Sequence, residues 1–319
     1  MSRKIVIAGG TGQIGAMMAR RYQENGDEVI VLGRTPRELP WGFAQWDGKT
    51  LGDWAEHVDG SDIVINLAGR SVNCRYTDEN RRAIMDSRVD STRALGEAIA
   101  AASRPPALWL QSSTATIYSH SYERANDEHT GAIDQDEPGA DPGWKHSVNV
   151  AKRWEETLDA ADTPETRKVA MRSAMVMSPD RDGIFDVMLE IVRMGLGGTA
   201  GDGRQYISWI HHEDFLDAID WIIANEHLDG AINLASPNPL PNKAFMRIFR
   251  QAWGVSLGLP ATAWMLEIGA VFLKTETELL LKSRRVVPGR LLEDGFEFSW
   301  PEWDGAARDL CRAWREQNQ

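Results

Sequence analysis

The sequence predicts a doubly wound parallel α/β sheet followed by a smaller, mostly helical C-terminal region. Short Val/Ile/Leu-rich runs alternate with longer helical patterns through the first three-fifths of the 319 residues, which is typical of repeated strand–helix–strand units. These runs are apolar almost throughout, as strands are when helices cover both faces of a sheet. We therefore expect a core domain that contains the sheet over residues 1–178 and a cap over residues 179–319 that returns at least one segment to the sheet.

The expected elements follow in chain order. The candidate strands are Lys4–Ala8, Glu28–Leu32, Asp62–Leu67, Ala107–Ser112, Lys168–Met177 and Ala231–Leu234. The candidate helices between them are Gly12–Asn25, Asp78–Ala102, Lys145–Ala161 and Glu213–Asn225. After about Pro179 glycines become frequent and the helical patterns lengthen, which indicates the start of the cap.

Composition and charge narrow the function classes. A net charge of −12 argues against binding to nucleic acid or to an anionic membrane surface, since both favour clustered Lys and Arg. Cys74 and Cys311 lie too far apart in sequence for a zinc motif or a disulfide framework. The chain enters an apolar strand within a few residues of its start, and residues 261–281 are interrupted by charges as in an amphipathic helix. We expect a cytoplasmic protein.

A glycine-rich turn joins the first strand to the first helix, and it reads Gly9, Gly10, Thr11, Gly12, Gln13, Ile14 and Gly15. Gly9 permits a tight turn, Gly12 allows close approach of a phosphate, and Gly15 lets the helix pack on the strand. The positive end of the helix attracts the phosphate charge. With strand, turn, helix and next strand all in order, the pattern predicts a Rossmann-type dinucleotide site.

The end of the second strand indicates which dinucleotide is bound. An NAD site usually places an acidic side chain there for the ribose 2′-hydroxyl, whereas this chain has Gly33 and Arg34, with Arg37 nearby. A guanidinium binds a 2′-phosphate well, so NADP(H) is favoured over NAD(H). The alternative is that Arg34 is an ordinary surface arginine.

The motifs together resemble the extended short-chain dehydrogenase/reductase superfamily, in particular its NAD-dependent-epimerase-like branch of nucleoside-diphosphate-sugar epimerases with a C-terminal extension. The resemblance covers nearly the whole chain. Besides the glycine turn it depends on Asn66-Leu67-Ala68-Gly69, Asp86-Ser87-Arg88 with Ser91-Thr92, Arg153-Trp154-Glu155, Gly201-Asp202-Gly203-Arg204-Gln205, Ser208-Trp209-Ile210-His211 and the segment from Pro288 to Phe298.

The resemblance implies cofactor contacts at Gly33, Arg34, Leu67, Ala68, Gly69 and Arg88, and a substrate cleft between the sheet and the cap. It also implies a catalytic Tyr with a Lys four residues later, and a Ser or Thr that holds the substrate oxygen. On a helix, that spacing puts both side chains on one face, where the ammonium lowers the pKa of the phenol.

The expected tyrosine is missing. Lys152 lies on the predicted helix, but Val148 precedes it by four residues. The Ser/Thr position is filled by Thr114, with Ser113 as its neighbour. Tyr118 could supply a phenol from the strand-end loop, and His146 could act as a general acid near neutral pH. The alternatives are that Tyr118 packs beneath the cofactor, that His146 caps a helix or lies on a surface turn, and that Lys152 pairs with Glu156.

Two residues of the cap, Trp209 and His211, are expected to border the substrate cleft. His211 and His212 precede two acidic residues, but neighbours on a strand point to opposite faces, so no metal site is expected. Arg193, Arg204 and Arg290 are candidates for binding a substrate diphosphate.

Two functions remain open at this point. The first is an NADP(H)-binding oxidoreductase or epimerase-like protein acting on a small carbonyl, hydroxyl or sugar-nucleotide substrate. The second is a non-catalytic NADPH-binding sensor or regulatory protein, for which a lost tyrosine is expected. The expected partner is a small-molecule substrate, and a homodimer is possible through the two helices Asp78–Ala102 and Lys145–Ala161.

Overall fold

The computed structural model describes residues 2–133, 142–260 and 282–318. The strands are β1 Lys4–Ala8, β2 Glu28–Gly33, β3 Gly42–Gln45, β4 Ile63–Asn66, β5 Leu108–Thr114, β6 Arg167–Ser173, β7 Met175–Met177, β8 Tyr206–Ile207, β9 Trp209–His211, β10 Gly230–Leu234 and β11 Leu240–Pro241. The helices are α1 Gln13–Glu24, α2 Asp78–Ala101, α3 Pro142–Asp159, α4 Ile184–Arg193, α5 His212–Ala224, α6 Asn242–Trp253, α7 Gly289–Glu293 and α8 Trp303–Gln317, and short 3-10 turns span Asp53–His57 and Ala115–Ile117.

Seven strands form one sheet in the order β10-β6-β5-β4-β1-β2-β3, and every neighbouring pair is parallel. The predicted doubly wound α/β fold is confirmed. The strand order reverses direction between β1 and β4, so the crevice at the carboxyl ends of these two strands is where such folds bind their ligands.

The sheet separates two apolar layers, because alternate residues of a strand face opposite sides. Ile5 and Ile7 of β1 pack into the layer formed with α1 and α5, whereas Val6 and Ala8 pack into the layer formed with α2. All four side chains are fully buried. This double-sided burial is the reason for the continuous apolar runs in the sequence.

The structure differs from the predicted elements at two strands. β3 was not expected, because Gly-Phe-Ala-Gln is short and has no β-branched residue. The predicted strand Lys168–Met177 is divided: β6 ends at Ser173, and β7 pairs with β9 outside the main sheet. The amphipathic segment expected over residues 261–281 lies outside the described residues.

Elements from beyond residue 178 pack on the main sheet. β10 pairs with β6 at its edge, and Phe215 and Ile219 of α5 join the apolar layer beside α1. Arg21 of α1 also forms ion pairs with Asp217 at 2.7 Å and with Asp220 at 2.9 Å. The domain boundary at residue 178 and the homodimer through α2 and α3 stay predictions.

The rest of the C-terminal region has its own apolar cluster. α4, α6 and α8 pack around Trp303, which stacks on Phe245 at 4.1 Å and contacts Trp209 at 4.9 Å. This cluster lies beside β7 and β9, and it forms the cap next to the carboxyl end of the sheet. In the described parts of the chain, no helix is both long enough and apolar enough to span a bilayer.

Candidate cofactor and substrate site

The glycine turn is shaped by close approaches within the chain itself. Gly9 has a φ of +76°, and a Cβ there would lie 2.8 Å from the amide nitrogen of Ala68. A Cβ on Gly15 would lie 2.4 Å from the Cα of Gly10. Both distances are far below any contact that a methyl group tolerates, so only glycine fits at these positions.

Gly12 has a different environment. It is exposed, its extended backbone (φ −80°, ψ 171°) suits any residue, and the nearest atom to a Cβ there would be the Gly9 carbonyl oxygen at 3.7 Å. Gly12 is the N-cap of α1, and within the described residues no side chain caps this helix or adds an acid to its first turn. The amides of Gln13 and Ile14 therefore remain available to a phosphate, and the geometry fits the dinucleotide that the sequence predicts.

The cap reaches the glycine turn at one point. Gly183 is the N-cap of α4, and a Cβ on it would lie 2.3 Å from Nε2 of Gln13. Asp182, immediately before it, has a φ of +63°, and its amide donates to Asp186 at 3.0 Å. This contact was not expected from the sequence, because nothing in the glycines of the cap shows which of them approaches α1.

The end of β2 opens onto a cavity of about 580 Å³. Arg34 is exposed on its wall, and its carbonyl oxygen accepts a hydrogen bond from Nε2 of Gln45 at 3.1 Å. Trp46 and Trp54, in edge-to-face contact at 5.3 Å, are buried beneath this cavity and form its floor. Thr50 holds the Asp47 carboxylate through hydrogen bonds that lower the Asp47 pKa. Trp46 directly follows β3, which the sequence did not reveal, and Trp54 lies in the 3-10 turn Asp53–His57.

The predicted contacts at Leu67, Ala68 and Gly69 follow β4 and lie beside the glycine turn. Asn66 fixes this loop: its Oδ1 accepts from the Ala68 amide at 3.0 Å, and its Nδ2 donates to Gln111 at 3.0 Å. Leu67 and Ala68 are half-buried, whereas Gly69 is exposed. The loop is thus held rigidly against Gly9 at the switch point of the sheet.

Arg88 presses on the same loop from α2. Its guanidinium carbon would lie 3.2 Å from a Cβ on Gly69, and it stacks over Trp154 at 4.9 Å. Its Nη1 donates to the carbonyls of Arg70 and Ile84. Burial lowers the Arg88 pKa to about 10, and no carboxylate of the described residues pairs with it. A cation without a carboxylate at the switch point is suited to an anionic or polar cofactor group.

Ser113 and Tyr118 belong to a buried polar network. Ser113 Oγ donates to Glu155 at 2.5 Å, and Glu155 forms an ion pair with Arg172 at 2.7 Å. Arg172 also donates to the Tyr118 hydroxyl at 2.9 Å, and that hydroxyl donates to Oδ1 of Asn233 at 2.9 Å. Tyr118 is 1% exposed, and burial raises its pKa.

This network corrects two predictions. The hydroxyls of Ser113 and Tyr118 are both engaged inside the protein, behind the strand ends, so neither faces the cleft as a catalytic group. The alternation of side chains along β5 explains the difference, since Thr114 faces the cap and Ser113 faces α3. Tyr118 follows the 3-10 turn Ala115–Ile117, which directs its ring inward.

Thr114 reaches a cavity of about 370 Å³ between the sheet and the cap. It ends β5, beside Ser173 at the end of β6, and both residues line this cavity. Thr114 Oγ1 accepts from the Thr116 amide and donates to Thr116 Oγ1, each at 3.1 Å. Lys282, which is 3% exposed, donates to the Thr116 carbonyl at 3.0 Å and also lines the cavity. The position predicted for substrate oxygen binding is therefore at a ligand-sized cavity.

The helix that should carry the missing tyrosine is α3. Val148 is buried, Lys152 is half-buried, and Glu156 pairs with Arg153 at 2.9 Å. The His146 ring is in edge contact with Tyr76 at 5.3 Å, and burial, with some repulsion from nearby arginines, lowers the His146 pKa. His146 is therefore neutral near pH 7, which weakens its case as a general acid.

A phenol that the sequence did not single out lies at this point. The Tyr76 hydroxyl is 3.5 Å from Ser147 Oγ, in the residue directly before Val148, and the Arg81 guanidinium lies 5.7 Å from the Tyr76 ring. Tyr76 is on the loop before α2, so its approach to α3 arises only from packing of α2 against α3.

Trp209 and His211 do not border the cleft, which corrects another prediction. Both are fully buried. Trp209 packs on Trp303, and His211 caps α5 by accepting from the Glu213 amide at 3.3 Å. Burial lowers the His211 pKa to about 3. Because β9 pairs with β7 and is covered by α8, both faces of the strand are internal.

A second cavity in the cap, of about 640 Å³, is rich in cations. Its basic side chains are Lys243, Arg204, Arg247 and Arg250. Of the three arginines expected to bind a diphosphate, only Arg204 is here. Arg193 stacks on Trp253 and Trp314, and Arg290 binds the carbonyl of Ala231 at the other end of β10. The three do not converge. Across residues 2–133, 142–260 and 282–318, no group of three or more potential ligands is arranged around a metal position.

Comparison with known proteins identifies related chains over nearly the full length. Residues 5–235 match the NAD dependent epimerase/dehydratase family, and residues 261–310 match a domain of unknown function. The epimerase family protein SDR39U1 of Mus musculus is 30% identical over 316 residues, which cover 96% of this chain and 99% of that protein.

Two solved structures show the same architecture. The crystal structure of human epimerase family protein SDR39U1 (isoform 2) with NADPH is similar, with a TM-score of 0.83 and 28% identity, over 97% of this chain and 99% of that chain. The nucleoside-diphosphate sugar epimerase from Corynebacterium glutamicum has a TM-score of 0.76 and 24% identity, over 98% of this chain and 59% of that one. The second likeness is one of fold alone.

Proposed function

The chain belongs to the NAD dependent epimerase/dehydratase family, and from that premise we propose that it is an NADP(H)-dependent oxidoreductase that interconverts a carbonyl and a hydroxyl group on a small substrate. The observation that carries the proposal is the position of Thr114, which lines a ligand-sized cavity at the carboxyl edge of the sheet that also carries the glycine turn. When bound, NADPH supplies a hydride to the carbonyl carbon.

The choice of NADP(H) depends on Arg34. Its side chain lies on the cavity at the end of β2, and no acidic residue ends that strand. A guanidinium provides a bidentate partner for a 2′-phosphate. A relative whose structure contains NADPH supports the same choice.

The chain itself would hold the substrate oxygen and provide the proton. Thr114 Oγ1, which accepts from the Thr116 amide, is placed to donate to a carbonyl oxygen when the Thr116 hydroxyl donates to Thr114 instead of accepting from it. The proton must come from a group other than Ser113 and Tyr118, because both are engaged in the buried network. Tyr76 is our candidate, because its hydroxyl lies 3.5 Å from Ser147 Oγ, next to the position on α3 where the family's phenol is expected.

The test compares Thr114→Val with a matched control. Thr157→Val removes a hydroxyl from α3, where it bonds only to the carbonyl of Arg153 on its own helix. Thr114→Val should lower NADPH-dependent carbonyl reduction by about 10²–10³-fold, as for the loss of one oxygen-stabilising donor, with unchanged NADPH affinity. Thr157→Val should keep parental turnover. Equal turnover in both variants would refute the role of Thr114.

The proton donor has a separate test. Tyr76→Phe should abolish the alkaline limb of the pH–rate profile and reduce kcat, while NADPH affinity is retained. A parental profile in Tyr76→Phe would eliminate this residue.

Val148 favours the second candidate function, a non-catalytic NADPH sensor. This buried valine occupies the position expected for the catalytic phenol. Tight NADPH binding with no turnover over a broad panel of carbonyl compounds and sugar nucleotides would favour the sensor over the oxidoreductase.

A further inference from the structure

We propose that the substrate held at Thr114 is an apolar alkyl or aryl carbonyl compound and not a nucleoside-diphosphate sugar. The proposal rests on the proposed function and names its substrate class. It depends on the composition and size of the cavity of about 370 Å³ that Thr114 lines.

The walls of this cavity are mostly apolar. They come from the loop after β4, from the start of β7, from α4 and the residues after it, from β8 and from α6. The apolar side chains in these walls are Val72, Met175, Ile184, Met188, Ile191, Leu196, Ile207 and Met246. Four of the eight are methionine or leucine, which adapt to apolar ligands of varied shape. Among the residues that the structure describes, no aspartate or glutamate lines the cavity.

One group of polar side chains lies at the strand ends: Thr114 and Thr116 are hydrogen-bonded to each other, Ser173 is the neighbour of Thr114 across β5 and β6, and Lys282 binds the Thr116 carbonyl. Tyr206, Ser208, Asn242 and Arg284 also line the cavity. Two of these are bonded within the protein, since Ser208 Oγ donates to the Arg284 carbonyl and Asn242 Oδ1 accepts from the Ala200 amide at 2.9 Å. The apolar walls suit a ligand whose reacting carbonyl lies at Thr114 and whose remainder is apolar.

A sugar fits such a cavity poorly. Each hydroxyl of a pyranose that is buried without a partner costs about 1–3 kcal/mol. The wall from α4 offers thioether and hydrocarbon groups where sugar hydroxyls would need hydrogen bonds. The resulting discrimination amounts to several orders of magnitude, because every 1.4 kcal/mol is about tenfold in affinity.

The size of the cavity agrees with a compact ligand. Its volume of about 370 Å³ is near the lower end of the roughly 300–1,000 Å³ found for small-molecule sites. A bicyclic aryl ketone or a medium-chain ketone is of a size that suits it. The rim is apolar as well, since Leu196 is 49% exposed and Ile184 is 41% exposed beside the cavity.

The experiment measures binding of 1-tetralone, 2-decanone and UDP-glucose to the full chain by calorimetry, with and without NADP⁺, and turnover by NADPH oxidation. Two pairs of variants separate the cavity from its surroundings. Leu196→Asp introduces a charge at the rim, and Met194→Asp is its control, because Met194 is 65% exposed and lies outside the cavity. Met188→Asp and its control Val187→Asp, 48% exposed, repeat the comparison on α4.

We expect saturable binding and turnover of at least one ketone, and neither for UDP-glucose. Leu196→Asp should weaken ketone binding about tenfold or more, whereas Met194→Asp should not, and all variants that fold should bind NADP⁺ as the parent does. The proposal is overturned if UDP-glucose binds more tightly than both ketones, if neither ketone binds, or if Leu196→Asp binds ketones as tightly as Met194→Asp. Failure of the proposed function looks different: the ketones then bind without NADPH oxidation, or the parent does not bind NADP(H).

Discussion

Gly12 and Gly15 lie three residues apart in the same turn, and their replacement by alanine should have opposite consequences. At Gly12 a methyl group has room, since the nearest atom is 3.7 Å away and the backbone is already in a region that alanine adopts. Alanine restricts the unfolded chain, and this stabilises the folded protein by about 0.4–1 kcal/mol. Alanine is also a poorer N-cap than glycine, and this destabilises the folded protein by a similar amount. The free energy of unfolding should therefore change by less than about 0.5 kcal/mol.

At Gly15 the methyl group has no room. Its Cβ would lie 2.4 Å from the Cα of Gly10. Because the atoms that it would meet belong to the backbone, α1 would have to move away from β1. Overpacking of this kind costs up to about 3 kcal/mol, and alanine recovers about 1 kcal/mol through its helix propensity. We expect Gly15→Ala to lower the free energy of unfolding by about 2 kcal/mol.

NADPH affinity, in contrast, should respond directly to the change at Gly12. In Gly12→Ala the methyl group occupies the space above the first amides of α1. The loss of one hydrogen bond to a phosphate costs about 1.5–3 kcal/mol, which is about 10–150-fold in NADPH affinity. Urea unfolding of the ligand-free protein and calorimetric titration with NADPH measure the two quantities separately.

Two outcomes would contradict these expectations. Parental NADPH affinity in Gly12→Ala would show that the phosphate does not lie over this residue. A destabilisation of Gly12→Ala as large as that of Gly15→Ala would show that the space seen at Gly12 is closed in solution.

Three further predictions concern residues outside this turn. Arg34→Gln should weaken NADPH binding by about 10-fold or more and leave NADH binding unchanged, because only the 2′-phosphate contact is lost; equal weakening of both in parallel titrations would contradict it. Tyr118→Phe should lower the free energy of unfolding by about 1–3 kcal/mol and leave kcat within about twofold, since its hydroxyl bonds Arg172 and Asn233 away from the cleft; a large fall in kcat with parental stability would restore its catalytic role. His211 has an ordinary pKa of about 6.5 when unfolded and about 3 when folded, so only the unfolded state takes up its proton and stability is lost as the pH falls through this window. The stability of the parent relative to His211→Gln should thus fall by about 1.4 kcal/mol per pH unit between about pH 6 and about pH 4 in urea titrations, and a constant difference would show that His211 does not titrate this way.

Much of the fold and of the cofactor site was predictable from the sequence because these features depend on local rules. The apolar runs of β1, β2 and β4 need only short-range periodicity, and the glycine turn needs only the spacing of its residues. The epimerase-like resemblance is confirmed over nearly the whole chain. β3 could not be found in this way, because a four-residue strand gains its stability from pairing with β2 rather than from its own composition.

The substrate site was much less predictable. Ser113 and Thr114 are adjacent and chemically alike, and the sequence alone does not tell which one faces the cap. Trp209 and His211 each carry a polar ring nitrogen and lie in a motif that is typical of a substrate cleft. In the structure they are covered by α8, which lies about a hundred residues further along the chain. Tyr76 approaches Ser147 across seventy-one positions of sequence. Such contacts follow from long-range packing, which no local pattern records.

The sequence by itself determined that this chain folds as a doubly wound sheet with a glycine-rich turn between its first strand and first helix, because strand burial and glycine geometry act over a few neighbouring residues. Only the tertiary structure decided which hydroxyl groups line the cavity and which are buried in the interior. The register of β5 and β6 places Thr114 and Ser173 at the cavity, and the ion pair of Glu155 with Arg172 draws Ser113 and Tyr118 into the interior. The physical reason is that buried charges must be paired, and their partners come from distant parts of the chain.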